Sequence, residues 1–207
     1  MQFGRRGGVG ASLAAIAALI AGCSKPGDTG VLPAGAATKA MELYDANKDG
    51  SLDANELKEC PPMAGALRNY DRDADGKIAT DEIAIRLERL FADGNNLAGV
   101  DLTVTLDGQP LSGATVKLRP AVFLGGELDS AEGVTDETGV ARPTIPAEHL
   151  PAEFRSSPLV QKIPYIVEIT HPSRKIPTRY NTASELGFEA DPSARGGLST
   201  AFDLKSN

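Results

Sequence analysis

The chain has 207 residues, enough for one domain or two small ones, and its 24% charged and 41% hydrophobic residues are ordinary for a globular protein. Aromatic residues make up 5% and Trp is absent, so any core must be aliphatic and modest. The net charge of -7 comes without a basic patch. That excludes nucleic acid as a partner, because binding phosphates needs clustered Lys and Arg.

Arg5 and Arg6 give the chain a positive start, and an apolar run rich in Ala, Leu and Ile covers residues 9–21. Charge, length and a small-residue end identify residues 1–22 as a secretory signal peptide. The run is too short and too rich in Ala for a membrane span. Its end, Leu19-Ile20-Ala21-Gly22-Cys23, resembles the lipobox of bacterial lipoproteins, with Ile20 where Leu is commonest. The resemblance implies cleavage before Cys23 and a lipid anchor on Cys23. It places the mature protein in the bacterial cell envelope, and Ser24 after the Cys implies the outer membrane. The rival readings are a plain signal peptide with a chance Cys, or an uncleaved anchor.

Removing residues 1–22 takes Arg5 and Arg6 from the 21 Lys and Arg, leaves all 28 Asp and Glu, and gives -9. A lipidated Cys23 leaves Cys60 without a partner, so Cys60 is expected as a small buried apolar residue at a helix end. The alternative is a Cys23–Cys60 disulfide in an unlipidated product. Residues 23–35, with Pro26, Gly27 and Gly30, read as a flexible tether.

Short helices are expected at 37–44, 54–60, 63–70 and 81–91, with Pro61-Pro62 stopping the second. In the last of these, Ile83, Leu87 and Leu90 share one face. Between the helices lie two runs of the same pattern, DANKDGSLDANE at 45–56 and DRDADGKIATDE at 71–82. Oxygen-bearing residues alternate, Gly stands sixth and Glu twelfth. Both runs match D-x-[DN]-x-[DN]-G-x5-E and resemble the calcium loop of EF-hands.

Ca2+ takes six to eight oxygen ligands in flexible geometry. In the first loop Asp45, Asn47, Asp49 and Glu56 are expected to ligate through side chains, Ser51 through its carbonyl and Asp53 through water. In the second loop the same roles fall to Asp71, Asp73, Asp75 and Glu82, with the Lys77 carbonyl and water in place of a side chain at Ala79. Gly50 and Gly76 allow the sharp turn. Leu52 and Ile78, eighth in each loop, should lie side by side in a short ribbon, and Tyr44 and Tyr70 should cap the small core. Two Ca2+ sites are thus expected in a compact pair over 36–94. Mg2+ fits less well, since it wants rigid octahedral geometry. Acidic turns or helix caps would also use Asp and Asn, but they do not demand Glu at the twelfth place twice. Without a cation the carboxylates repel, so metal binding should order the pair. After residue 22 only Met41 and Met63 remain as Met, which points to a structural or recruiting role rather than a sensor that opens a Met-rich groove.

From residue 99 the composition changes. Val100, Leu102, Val104 and Leu106 alternate with polar residues as in a strand, and Asp107-Gly108 signals a hairpin turn. Further strands are expected at 114–118, 134–140 with a turn at 136–139, 165–170 and 198–204. Residues 142–163 read as a proline-rich connection with one short helix. The stretch 99–120, with Val104-Thr105-Leu106-Asp107-Gly108-Gln109-Pro110-Leu111, resembles the opening of carboxypeptidase regulatory-like domains. The resemblance implies a transthyretin-like, noncatalytic β-sandwich over 99–206, from which the insert at 142–163 departs. The fold class expected is therefore α+β multidomain: a paired EF-hand followed by an antiparallel β-sandwich.

Catalysis is not expected. His149 and Glu153 are separated by Pro151 and do not form a zinc-binding helix, and His171 precedes Pro172 at a strand end. No nucleophile elbow is present. Three readings remain. The first is a calcium-binding envelope lipoprotein that holds an envelope protein or polysaccharide partner. The second is a dockerin-like adhesion module, against which Glu56 and Glu82 argue because dockerin loops usually end in Asp. The third is a structural lipoprotein whose loops stay metal-free.

Overall fold

The computed structural model describes residues 30–92, 96–125, 128–191 and 198–207 together with Met1. The segment expected as a signal peptide, Cys23 and the tether as far as residue 29 lie outside these, apart from Met1. Among the described residues no helix is long and apolar enough to cross a membrane.

Helix α1, Pro33–Tyr44, begins on a proline, which has no N–H to leave unsatisfied in the first turn. It leads into the first loop, whose strand β1 is Ser51–Leu52. A 3-10 turn, Glu56–Glu59, leaves the loop where a longer helix was expected. Pro61 and Pro62 do not stop a helix but start one, α2, Pro61–Gly65, for the same reason as at α1. The helix expected over 63–70 breaks at Ala66 into α2 and α3, Leu67–Tyr70. The second loop carries β2, Ile78–Ala79, and α4, Thr80–Phe91, follows as expected. Strands β1 and β2 pair antiparallel, with Leu52 opposite Ile78.

The rest is mostly strand. β3 is Leu97–Ala98, β4 Asp101–Leu106, β5 Gln109–Pro110, β6 Thr115–Pro120, β7 Ala131–Val134 and β8 Val140–Ala141. β9 is Val160–Gln161, β10 Pro164–Thr170, β11 Gly187–Glu189 and β12 Ser199–Leu204. One sheet runs β11-β10-β6-β7, all antiparallel. In the other, β4 pairs with β12 along its length, with β5 at its end and with β8 near its start. The β12–β4 pair is parallel, which corrects the expectation of a wholly antiparallel region. The cause is topological: β12 returns alongside β4 after a long excursion, not through a hairpin. The 142–163 connection holds two 3-10 turns, Ala147–His149 and Ala152–Phe154, where one helix was expected. It ends in β9, which pairs with β3.

Asp107 and Gly108 both take positive φ, 52° and 79°, as a tight hairpin requires. Leu102, Val104 and Leu106 are buried on one face of β4, matching the alternation read from sequence. Buried side chains of the helical part and of the β-region form one continuous cluster, from Ala37, Leu52 and Ile83 to Val116, Val167 and Leu204. Tyr44 meets Phe123 edge-on at 6.5 Å within this junction.

Cys60 is a free, buried thiol between the 3-10 turn and α2. Burial pushes it up from 9.0 to about 11. An unfolded chain ionises this thiol near pH 9, whereas the folded chain does so only near 11. The stability contributed by keeping it neutral is therefore complete below pH 9 and lost as pH rises toward 11. Urea denaturation at pH 8 and pH 10.5 should show a fall of which Cys60→Ala removes about 2 kcal/mol.

Candidate metal centre

The two loops share one backbone form. Positive φ occurs at the fourth and sixth places of each, Lys48 at 59° and Gly50 at 88°, then Ala74 at 60° and Gly76 at 84°. The glycines adopt this region freely; Lys48 and Ala74 do so against the usual preference of residues with a Cβ. That strain is tolerated because the surrounding hydrogen bonds fix the turn.

The bonds repeat as well. Asp45 accepts from the Asp49 and Gly50 amides at 3.2 and 3.0 Å, and Asp71 accepts from the Asp75 and Gly76 amides at the same two distances. Asp49 accepts from the Ser51 amide and Asp75 from the Lys77 amide, at 3.0 and 2.8 Å. Each closing glutamate spans its loop. Glu56 accepts from Ala46 at 3.0 Å and Asp53 at 2.9 Å, and Glu82 from Arg72 at 2.7 Å and Ala79 at 2.9 Å. Both glutamates are buried. A buried carboxylate needs partners, and the loop amides supply them in part.

The second loop brings its acids together. Asp71, Asp73 and Glu82 each offer a carboxylate oxygen within 4.8 Å of the others, the one such trio among the described residues. Arg72, Asp73, Ala79, Asp81 and Glu82 line a hollow of about 300 Å3 beside it. Three convergent hard oxygens on a strained, hydrogen-bonded loop fit a Ca2+ ion. Asp71, Asp73, Asp75 and Glu82 would hold it, with the Lys77 carbonyl.

The first loop is less converged. Its third position is the amide Asn47, where the second loop has the carboxylate of Asp73. Asp53 turns to the 3-10 exit turn, accepting from the Asn55 and Glu56 amides at 2.7 and 3.1 Å. Asp49 is drawn across to the other loop, where Lys77 Nζ stands 3.1 Å from its Oδ2. The Ser51 hydroxyl first, and the Lys77 ammonium second, hold the Asp49 carboxyl down to about 2. Sequence spacing did not show that Lys77 presents its side chain to the first loop. An ammonium on a ligand carboxylate competes with a cation. Lys77→Met should therefore tighten calcium binding at the first loop roughly two- to fivefold, an exposed pair's worth, as read by calorimetry.

The two His stand apart from these loops. His149 Nδ1 lies 2.7 Å from Asp129, and His171 Nε2 lies 3.0 Å from the Ser112 carbonyl.

A family model described as EF hand matches residues 38–61, which hold the end of α1, the first loop and its exit turn. The match reaches neither the second loop nor the β-region. No curated protein and no solved structure gives a match. The EF-hand match at the first loop and the acidic cluster in the second both suggest calcium as a ligand.

Proposed function

We propose that the protein is a calcium-binding, lipid-anchored component of the bacterial cell envelope, with a structural or partner-recruiting role. The observation that carries the calcium part is the repetition of one hydrogen-bonded loop form at 45–56 and 71–82, joined by the Leu52–Ile78 pairing. Two ions would bind, one per loop. The anchor would be Cys23, in the Leu19-Ile20-Ala21-Gly22-Cys23 run, and the outer membrane its destination. The β-region would act as a noncatalytic carboxypeptidase regulatory-like sandwich, its two sheets face to face. The partner would be an envelope protein or polysaccharide. The dockerin-like alternative is weaker, because Glu82 closes its loop across two amides in a way that the usual Asp is too short to copy.

An extracellular calcium module needs an affinity on the order of 0.1 to 1 mM. At 10 mM calcium, a site of about 0.1 mM is stabilised by about 2.7 kcal/mol. Thermal unfolding of the chain should then rise by about 5–10 °C with 10 mM calcium and fall back with chelator. The same rise with magnesium, or none with either ion, would count against the proposal. Cys23→Ser should release the protein from the membrane fraction, and its retention there would count against the anchor.

A further inference from the structure

The helices on either side of the second loop close on one carboxylate of the β-region. Asn69, two residues before Asp71, donates from Nδ2 to Glu189 Oε1 at 2.9 Å. Arg86 lies four residues after Glu82, about one helical turn along α4. It donates to the same oxygen from Nε at 3.2 Å and from Nη2 at 2.5 Å, and also bonds Asp191. The side chains of Arg86 and Glu189 are 8% and 2% exposed, so this ion pair is held out of water and weakly screened.

Tyr70 completes the group. It immediately precedes the loop and is fully buried. Neither its hydroxyl nor Glu189 Oε2 has a hydrogen-bond partner. A buried donor and a buried acceptor left unsatisfied are costly. Loop entry, loop exit and the strand β11 thus meet at Glu189.

Resting on the calcium reading of this loop, we propose that Glu189 is its positioning residue. It clamps the entering and leaving helices at the separation the loop needs, so that filling the loop and seating β11 are one coupled event. The coupling runs both ways, as linkage requires. An ion drawing Asp71 and Glu82 together fixes Asn69, Tyr70 and Arg86 against Glu189. In return, a well-seated β11 holds the loop ready for the ion. β11 is suited to respond, being a three-residue edge strand paired on one side to β10.

The test is hydrogen exchange in peptides covering β11, on the full chain with and without calcium, with calorimetry counting the ions bound. The expected result is slowing of about tenfold when the second loop fills. Glu82→Gln should abolish the slowing, and Glu56→Gln, which disables the first loop, should leave it. Conversely, Glu189→Gln should weaken calcium at the second loop about tenfold and leave the first unchanged. Asn69→Ala removes only the α3 tie and should do the same to a smaller extent, which keeps the test open if Glu189→Gln folds poorly. Four results overturn the proposal while sparing the calcium reading. They are unchanged β11 exchange in a chain whose second loop takes calcium, slowing that survives Glu82→Gln, equal weakening of both loops as a merely structural role would give, or no weakening in either variant. If calorimetry shows no calcium bound at all, the reading of the loop falls and the proposal with it.

Discussion

Replacing Glu82 by Gln is expected to lower calcium affinity at the second loop by on the order of a hundredfold. Glu82 is the trio's one buried member, and its two oxygens accept from Arg72 and Ala79 on opposite sides of the loop. An amide has one accepting oxygen. Its nitrogen must then face one of those two N–H groups, donor against donor, and the charge that would hold the ion is gone. The same conflict should cost about 1–3 kcal/mol in chelator, where no ion is bound. Asp81→Asn, one residue earlier on the exposed side of α4, should change stability by less than about 1 kcal/mol. Urea denaturation in chelator and a calcium titration separate the two effects. Equal behaviour of the two variants would contradict this role for Glu82.

The largest effect on stability is expected at Gly187. A Cβ there would stand 2.2 Å from the backbone of Pro61 and Pro62, where β11 passes the start of α2. Neither partner is a side chain that can rotate aside. One backbone must move, and with it the junction between the helical part and the β-region. Gly187→Ala should cost about 3 kcal/mol or more, at the upper end for overpacking. Gly65, on α2 near the same crossing, is the control. Its added Cβ would lie 3.6 Å from the Gly187 carbonyl, an ordinary contact, and α2 gains a better helix former. Gly65→Ala should therefore be neutral or slightly stabilising. The comparison is a pair of thermal or urea unfolding curves, and similar curves would mean that the close approach carries no weight.

The two loops of one form were legible in sequence because oxygen-bearing residues, Gly and Glu recur at fixed places in both. The Leu52–Ile78 pairing followed from the same register. Strand β4 was legible because one face is buried and the other is not. Pro61-Pro62 was misread because proline marks both a helix's end and its first turn, and only packing tells which. Arg86 sits on the buried face of α4 beside Ile83, Leu87 and Leu90. A single charge within an apolar stripe carries no sign of partners more than a hundred residues away. Sequence separation also hid the parallel pairing of β12 with β4 and the reach of Lys77 to Asp49, 28 residues away, since long-range partners leave no local period.

Calorimetric calcium titration of the full chain, beside Glu56→Gln and Glu82→Gln, tests the central claim most directly. The result predicted is two ions on the unaltered chain and one on each variant, with affinities on the order of 0.1 to 1 mM. No binding at several millimolar calcium, or two ions still bound by either variant with unchanged affinity, would contradict it.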